Sequence, residues 1–177
     1  MSERTPAHLL VIGDGTEKLK LMQLCAQLGI EDRSHFPGFI SAKEELAALY
    51  RRSTVFVTAS EIETQGVVLL EAAACAVPIV AVQATCLQEV VHEGVNGFLL
   101  RPGDQEGIAE HLYKLIENPK LAQEMGQKGR QFVESHAAEK TFAAYEELYR
   151  TFVQERRSIY APKAALPDHA AISSRSG

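Results

Sequence analysis

Two glutamates, Glu63 and Glu71, stand eight positions apart on either side of Gly66 in the stretch TASEIETQGVVLLEAAACAVPIVA, Thr58 to Ala81. The order of residue types there reads as a strand end, a polar loop and a glycine that opens a helix, and glycine lets a ligand come close to the backbone. The first amides of such a helix, from Gln65 to Val68, lie at the positive end of its dipole and form a seat for a diphosphate. Glu71, one to two turns along, is placed to accept hydrogen bonds from a ribose, and Glu63 to reach a sugar hydroxyl. Two carboxylates beside a diphosphate repel it unless each bonds hydroxyls, so the ligand that fits this spacing is polyhydroxylated. By spacing alone, a solvated loop charge and a helix-surface charge are equally good readings of the same two residues.

The elements that would hold this loop alternate. His8 to Ile12 is a short apolar run entering the turn Gly13-Asp14-Gly15, and Glu17 to Leu28 repeats apolar residues at helical spacing up to a stop at Gly29. A strand near His35 to Phe39, a helix from Lys43 to Arg51 and the strand Val55 to Ala59 follow. A helix from Gly66 to Cys75, the β-branched run after Pro78, a short helix from Leu87 to His92 and a strand from Gly97 to Leu100 complete the alternation. Strands with little polar alternation, separated by helices, predict a doubly wound α/β domain with a parallel sheet, whose ligands bind at the carboxyl ends of the strands. Beyond Arg101 only helices are predicted: Asp104 to Glu117, Leu121 to His136 and Glu139 to Arg157. Residues 1–160 form one domain in this reading, and residues 161–177, with two prolines and no apolar period, a disordered tail.

Composition removes several classes. The formal net charge of −5 over 177 residues argues against a phosphate-backbone binder, so nucleic acid is not expected as a partner. Cys25, Cys75 and Cys86 make an odd count without a CxxC pair, which points to a reducing, cytoplasmic compartment. The histidines show no metal-ligand spacing, so no metal is expected, and His92 and His111 read as ordinary surface residues. The first ten residues do not form a signal peptide and no apolar run is long enough to span a membrane, which leaves peripheral membrane contact at most. A dinucleotide-binding dehydrogenase would need GxGxxG after the first strand, and Gly13-Asp14-Gly15-Thr16-Glu17-Lys18 lacks the third glycine.

Ser60 to Pro78 resembles the signature of the group 1 family of retaining glycosyltransferases, which pairs Glu-x7-Glu with a glycine three residues after the first Glu and continues into EAMAxGxPVVA. LLVIGDGTE resembles that family's LxIxGxGPE, HFPGFISAKEELAALYRRSTVFVTAS its FxGxVxxxELxxYxxADVFVxPS, and EVVHEGVNGFLLRPGD its EVVxDGxNGxLVPPGD. The resemblance implies the Rossmann-like, nucleotide-sugar-binding C-terminal half of a GT-B fold enzyme. It implies that Glu63, as the catalytic residue, holds the donor sugar's hydroxyls near the reacting carbon, and that Glu71 binds the ribose. Thr64, Gln65, Gly66 and Val67 would line the sugar and diphosphate through the loop backbone, Ile40 the base pocket, and Gly13 the end of the first strand. At Gly13 a purely conformational role is an equal reading. The donor is a substrate, and no cofactor is implied.

Departures from the family pattern carry expectations of their own. Gln65 stands where many members have Phe, Ala76 replaces the usual glycine before Pro78, and Ala84-Thr85 replaces a glycine pair; each substitution is expected to narrow the donor site. Family members also carry an Arg and a Lys on a first strand and helix of this domain that lie before the matching part of this chain. The domain is therefore expected to lack its first strand and helix and, without an acceptor domain, supplied for instance by a separate chain, to bind donor weakly and transfer little. A non-catalytic remnant or nucleotide-binding module of the same fold is the competing expectation.

Overall fold

The computed structural model describes residues 7–84, 87–134 and 137–160, so the expected tail at 161–177 and the positions Thr85 and Cys86 lie outside the described residues. The chain divides into two compact units, Met1–His136 and Ala137–Gly177.

The first unit opens with β1 (Leu9–Ile12), α1 (Lys18–Gln27), a 3-10 turn at Glu31–Arg33, β2 (Ser34–Gly38) and α2 (Lys43–Arg52). It continues with β3 (Phe56–Thr58), α3 (Val67–Ala74), β4 (Ile79–Val82), α4 (Leu87–Val90) and β5 (Gly97–Leu100), and closes with α5 (Gln105–Glu117) and α6 (Pro119–Val133). All pairings between strands are parallel. Every element lies within a few residues of its prediction, because each βα step is written in β-branched or helix-period runs cut by glycine or proline.

The sheet, however, comes in two pieces. Among the described residues β1 pairs with β2 alone, while β3, β4 and β5 form a separate sheet in that order. Leu9 stands opposite Ser34 in the first, and Phe56 opposite Ile79 and Val80 opposite Phe98 in the second. β1 and β3 each keep one edge that bonds to no described strand.

The core surrounds β4. Its alternate residues point to opposite faces: Ile79 and Ala81 join Leu69, Ala72 and Ala73 of α3 and Leu87 of α4, whereas Val80 joins Phe98, Leu115, Ala122 and Met125 of β5, α5 and α6. Two glycines permit this closeness. A Cβ on Gly126 would run into the Ala76 carbonyl oxygen, and one on Gly97 into that of Ile79. Buried Asn96 ties α4 to β5 by donating to the Val90 carbonyl at 2.8 Å and accepting the His92 amide at 2.7 Å. Asp104 caps α5 by accepting from the Gly107 amide, and Asn118 caps α6 by accepting from that of Leu121.

His111 is not an ordinary surface residue. It is half-buried, bonds the Gly107 carbonyl through Nδ1 at 2.8 Å and packs its ring 4.3 Å from that of Phe98. His92 is exposed as expected, with one ring edge against Phe132. Cys25 is a buried free thiol and Cys75 a half-buried one. No helix of the described residues is long and apolar enough to cross a membrane. The second unit contributes α7 (Ala138–Tyr160), whose apolar stripe of Phe142, Tyr145, Leu148, Tyr149 and Phe152 is exposed.

Candidate functional site

At the head of α3, Gly66 takes a left-handed backbone, φ 61°, as the residue just before the helix. It is buried, and a side chain there would meet Leu87 and Val90 of α4 at 3.7 Å. Glu63 curls back on this turn. Its Oε1 accepts the Thr64 amide at 3.1 Å and the Gly66 amide at 3.2 Å, so one amide of the expected diphosphate seat is already engaged by a carboxylate. Thr64, Gln65 and Val67 are exposed, and the first amides of any α-helix have no acceptor within it. The seat is therefore narrower than the sequence suggests, with Glu63 itself acting as the anion at the helix terminus.

Glu71 is the one charged residue of α3, whose sequence is otherwise VVLL and AAA, and it is exposed. No cation of the described residues pairs with it; the group beside it is Tyr50 of α2. The Tyr50 hydroxyl lies 3.4 Å from Glu71 Oε2 and 3.5 Å from the Val68 carbonyl oxygen. Tyr50 is half-buried, with its ring centroid 5.8 Å from that of Phe56 on β3. Burial, and then the neighbouring Glu71 carboxylate, push its phenol up to about 12, so it remains a hydrogen-bond donor throughout the neutral range.

A second cluster joins the ends of β1 and β2. The Gly13 amide, at φ 130°, donates to the Gly38 carbonyl at 2.9 Å, and Asp14 Oδ2 accepts the Phe39 amide at 3.1 Å. Lys18 reaches back from α1 to Asp14 Oδ1 at 2.8 Å. The Lys18 ammonium, followed by the Phe39 amide, holds the Asp14 carboxyl below the usual carboxylate range. Ile40 follows directly and is half-buried. Gly13 thus has a conformational role, and it also anchors the loop that carries Ile40.

The glycosyl transferases group 1 profile matches residues 1–132. The chain belongs to this family of glycosyltransferases. It is 35% identical over 153 residues to N-acetyl-alpha-D-glucosaminyl L-malate synthase of Bacillus anthracis, a match spanning 86% of this chain and 39% of that protein. It is 32% identical to the D-inositol 3-phosphate glycosyltransferase of Streptomyces griseus, over 82% of this chain and 31% of that one. Among solved structures, sucrose-phosphate synthase of Thermosynechococcus elongatus superposes with a TM-score of 0.74 at 29% identity, covering 84% of this chain and 39% of that one. HepE of Anabaena, in complex with UDP, superposes with a TM-score of 0.71 at 25% identity, over 84% and 41%. The chain thus spans about two fifths or less of the length of these relatives.

Seen as part of a group 1 transferase, the loop and α3 are conspicuously anionic. Between Arg52 and Arg101 there is no Lys or Arg, while Glu61, Glu63, Glu71, Glu89 and Glu93 all fall there. A diphosphate at α3 would find amides but no cation from β3 to β5. The expectation that Ala76 narrows the site is corrected. Ala76 lies beyond the opposite end of α3, about 12 Å from its head at 1.5 Å per residue. What it does is carry a left-handed backbone, φ 58°, where glycine is at ease. Tyr50 and the Asp14–Lys18 pair were not singled out by sequence reasoning. The pair's four-residue spacing was a readable signal, whereas no local pattern announces the approach of Tyr50 to Glu71.

Proposed function

We propose that this chain is the donor-binding part of a transferase that moves a hexose from a nucleoside diphosphate to an acceptor hydroxyl with retention of configuration. The observation that carries the reading is the head of α3, where Glu63 and the left-handed Gly66 form the helix terminus and Glu71 stands about one turn further along. Gln65, Gly66 and Val67 offer backbone amides to the sugar and diphosphate, and Thr64 lines the same loop. Glu71 accepts from the ribose, while Ile40, on the loop that Gly13 anchors, lines the base. A bound diphosphate competes with Glu63 for the Gly66 amide, which releases the carboxylate toward a donor-sugar hydroxyl near the reacting carbon. Negative charge developing on the leaving diphosphate then faces the positive end of α3. The likeness to HepE, solved with UDP, supports a nucleoside-diphosphate donor.

Two features support the further reading that transfer requires an acceptor-binding half. β1 and β3 each leave an edge that bonds to no described strand and could take a further one, and the cation-free stretch from β3 to β5 requires neutralising groups from elsewhere. We assign no metal or cofactor to the reaction. The free thiols of Cys25 and Cys75 suit the cytoplasmic location the reading assumes. The anionic site also favours a second reading, a binding module that performs no transfer.

Calorimetric titration with UDP, GDP, ADP and a UDP-hexose tests the first reading. Saturable binding of one nucleotide is expected, weakened about tenfold or more by Glu71→Ala through loss of a charge-assisted hydrogen bond. Absence of binding to all of them at millimolar ligand would sink it. Binding without transfer after addition of an acceptor half would leave the module reading.

A further inference from the structure

Glu71 presents an unusual mechanical problem. It is a long, flexible side chain on the exposed face of a helix that offers it no cation and no other polar side chain. Left alone, such a carboxylate samples several rotamers, and a ligand must immobilise it at an entropic cost. Among the described residues, the side chain that reaches it comes from a different element, across the α2–α3 packing, where the Cys75 thiol also meets the Ala47 carbonyl at 3.7 Å. Tyr50 is itself fixed, half-buried against Phe56 and in contact with the core around α3.

We propose that Tyr50 is a positioning residue for Glu71: its hydroxyl donates to Oε2 and holds the carboxylate so that Oε1 is presented to the ribose hydroxyls of the donor nucleotide. The inference rests on the donor-site reading above and deepens it by naming a residue that sets discrimination by the sugar of the nucleoside. Between the Val68 carbonyl and Glu71, 3.5 and 3.4 Å away, the charged oxygen is the stronger acceptor. A ribose hydroxyl on one oxygen and the phenol on the other would engage both oxygens of the carboxylate. Burial and the neighbouring carboxylate push the phenol up to about 12, so at neutral pH it keeps the proton that it donates.

Titrating Tyr50→Phe, Glu71→Ala and the double variant with UDP and with 2′,3′-dideoxy-UDP separates positioning from packing. Phenylalanine keeps the ring against Phe56, so the variant is expected to fold with an unchanged melting profile. The unaltered chain should bind UDP more tightly than its dideoxy analogue. Tyr50→Phe should weaken UDP by about three- to tenfold while leaving the dideoxy analogue unchanged, as loss of one net hydrogen bond predicts. Adding Tyr50→Phe to Glu71→Ala should then have no further effect, since alanine leaves the Tyr50 hydroxyl no side-chain acceptor at that position. Equal weakening of both nucleotides by Tyr50→Phe, or no change in either, would overturn the positioning role while leaving the donor site intact. If the unaltered chain binds neither nucleotide, the donor-site reading itself fails and this inference falls with it.

Discussion

β1 reads LLVI and β4 reads IVAV, two four-residue strands of nearly the same composition with opposite fates. In β4 no residue is more than 1% exposed, whereas in β1 Leu9, Leu10 and Ile12 are 37 to 39% exposed. Intrinsic preference cannot separate them, since both are made of strand-forming or apolar residues. Their neighbours do. β4 has a strand on each side, α3 and α4 against one face and α5 and α6 against the other. β1 has β2 alone as a strand partner, and beside it α1 leaves Leu19 72% and Leu28 60% exposed. A hydrophobic strand becomes core only when a second layer and two lateral partners reach it, so one compact unit can hold a rigid half and a loosely held half.

The most direct way to break this comparison is to truncate one leucine in each half and measure unfolding in urea. Leu69, fully buried on α3, should cost about 3–5 kcal/mol when replaced by Ala, because both its transfer energy and the cavity are lost. Leu19→Ala should cost less than about 0.5 kcal/mol, as expected for a side chain that solvent already reaches. Comparable losses at the two positions would show that the β1 half is covered in solution, and a melting temperature that rises with protein concentration would identify self-association as the cover.

The same contrast explains what could be read in advance. The βα alternation, the helix stops and the place of Glu63, Gly66 and Glu71 at the head of a helix were legible, because each is encoded within a dozen residues. The break between β1 and β3 was not, since strand order depends on partners far apart in sequence, and an apolar run such as Leu9–Ile12 predicts a strand without naming its neighbours. His111 was misread for a related reason. Its ring is buried by Phe98, on a strand that no local pattern connects to α5. Nor could Glu63 be seen to spend its carboxylate on the Gly66 amide, because a glutamate three residues before a helix start can equally face solvent.

Within the rigid half, one residue carries strain that the packing around it sustains. Ala76 sits at φ 58° with its carbonyl packed against Gly126 of α6, so neither the backbone nor its neighbour can relax. A left-handed alanine costs about 1–2 kcal/mol, and glycine's greater freedom in the unfolded chain offsets about 0.4–1 kcal/mol of any relief. Ala76→Gly should therefore stabilise the chain by up to about 1 kcal/mol, read as a higher urea midpoint at unchanged slope. Unaltered nucleotide binding in that variant would sharpen the comparison, since strain at the tail of α3 would then be shown not to serve its head. Weakened binding would instead tie the two ends together.

The smallest expected effect lies in the loose half, where the Asp14 clamp on Phe39 adds to the Gly13–Gly38 backbone bond in joining the loops after β1 and β2. Asp14 titrates below its ordinary value of 3.8 in the folded chain, since the Lys18 ammonium and the Phe39 amide both favour the charged form. The clamp is thus fully present above the unfolded value and is lost only as pH falls through the lower, folded value. Because the side chain is 59% exposed, water screens the interaction, and the effect belongs to local opening rather than global stability. The Phe39 amide resonance followed by NMR from pH 6 downward should therefore shift with a midpoint under 3.8, and the shift should vanish in Asp14→Asn, whose carbonyl accepts the same bond at every pH. A midpoint at or above that value would mean that Lys18 does not hold the carboxylate in solution. The loops that carry Gly13 and Ile40 would then be joined by the Gly13–Gly38 backbone bond without help from the clamp.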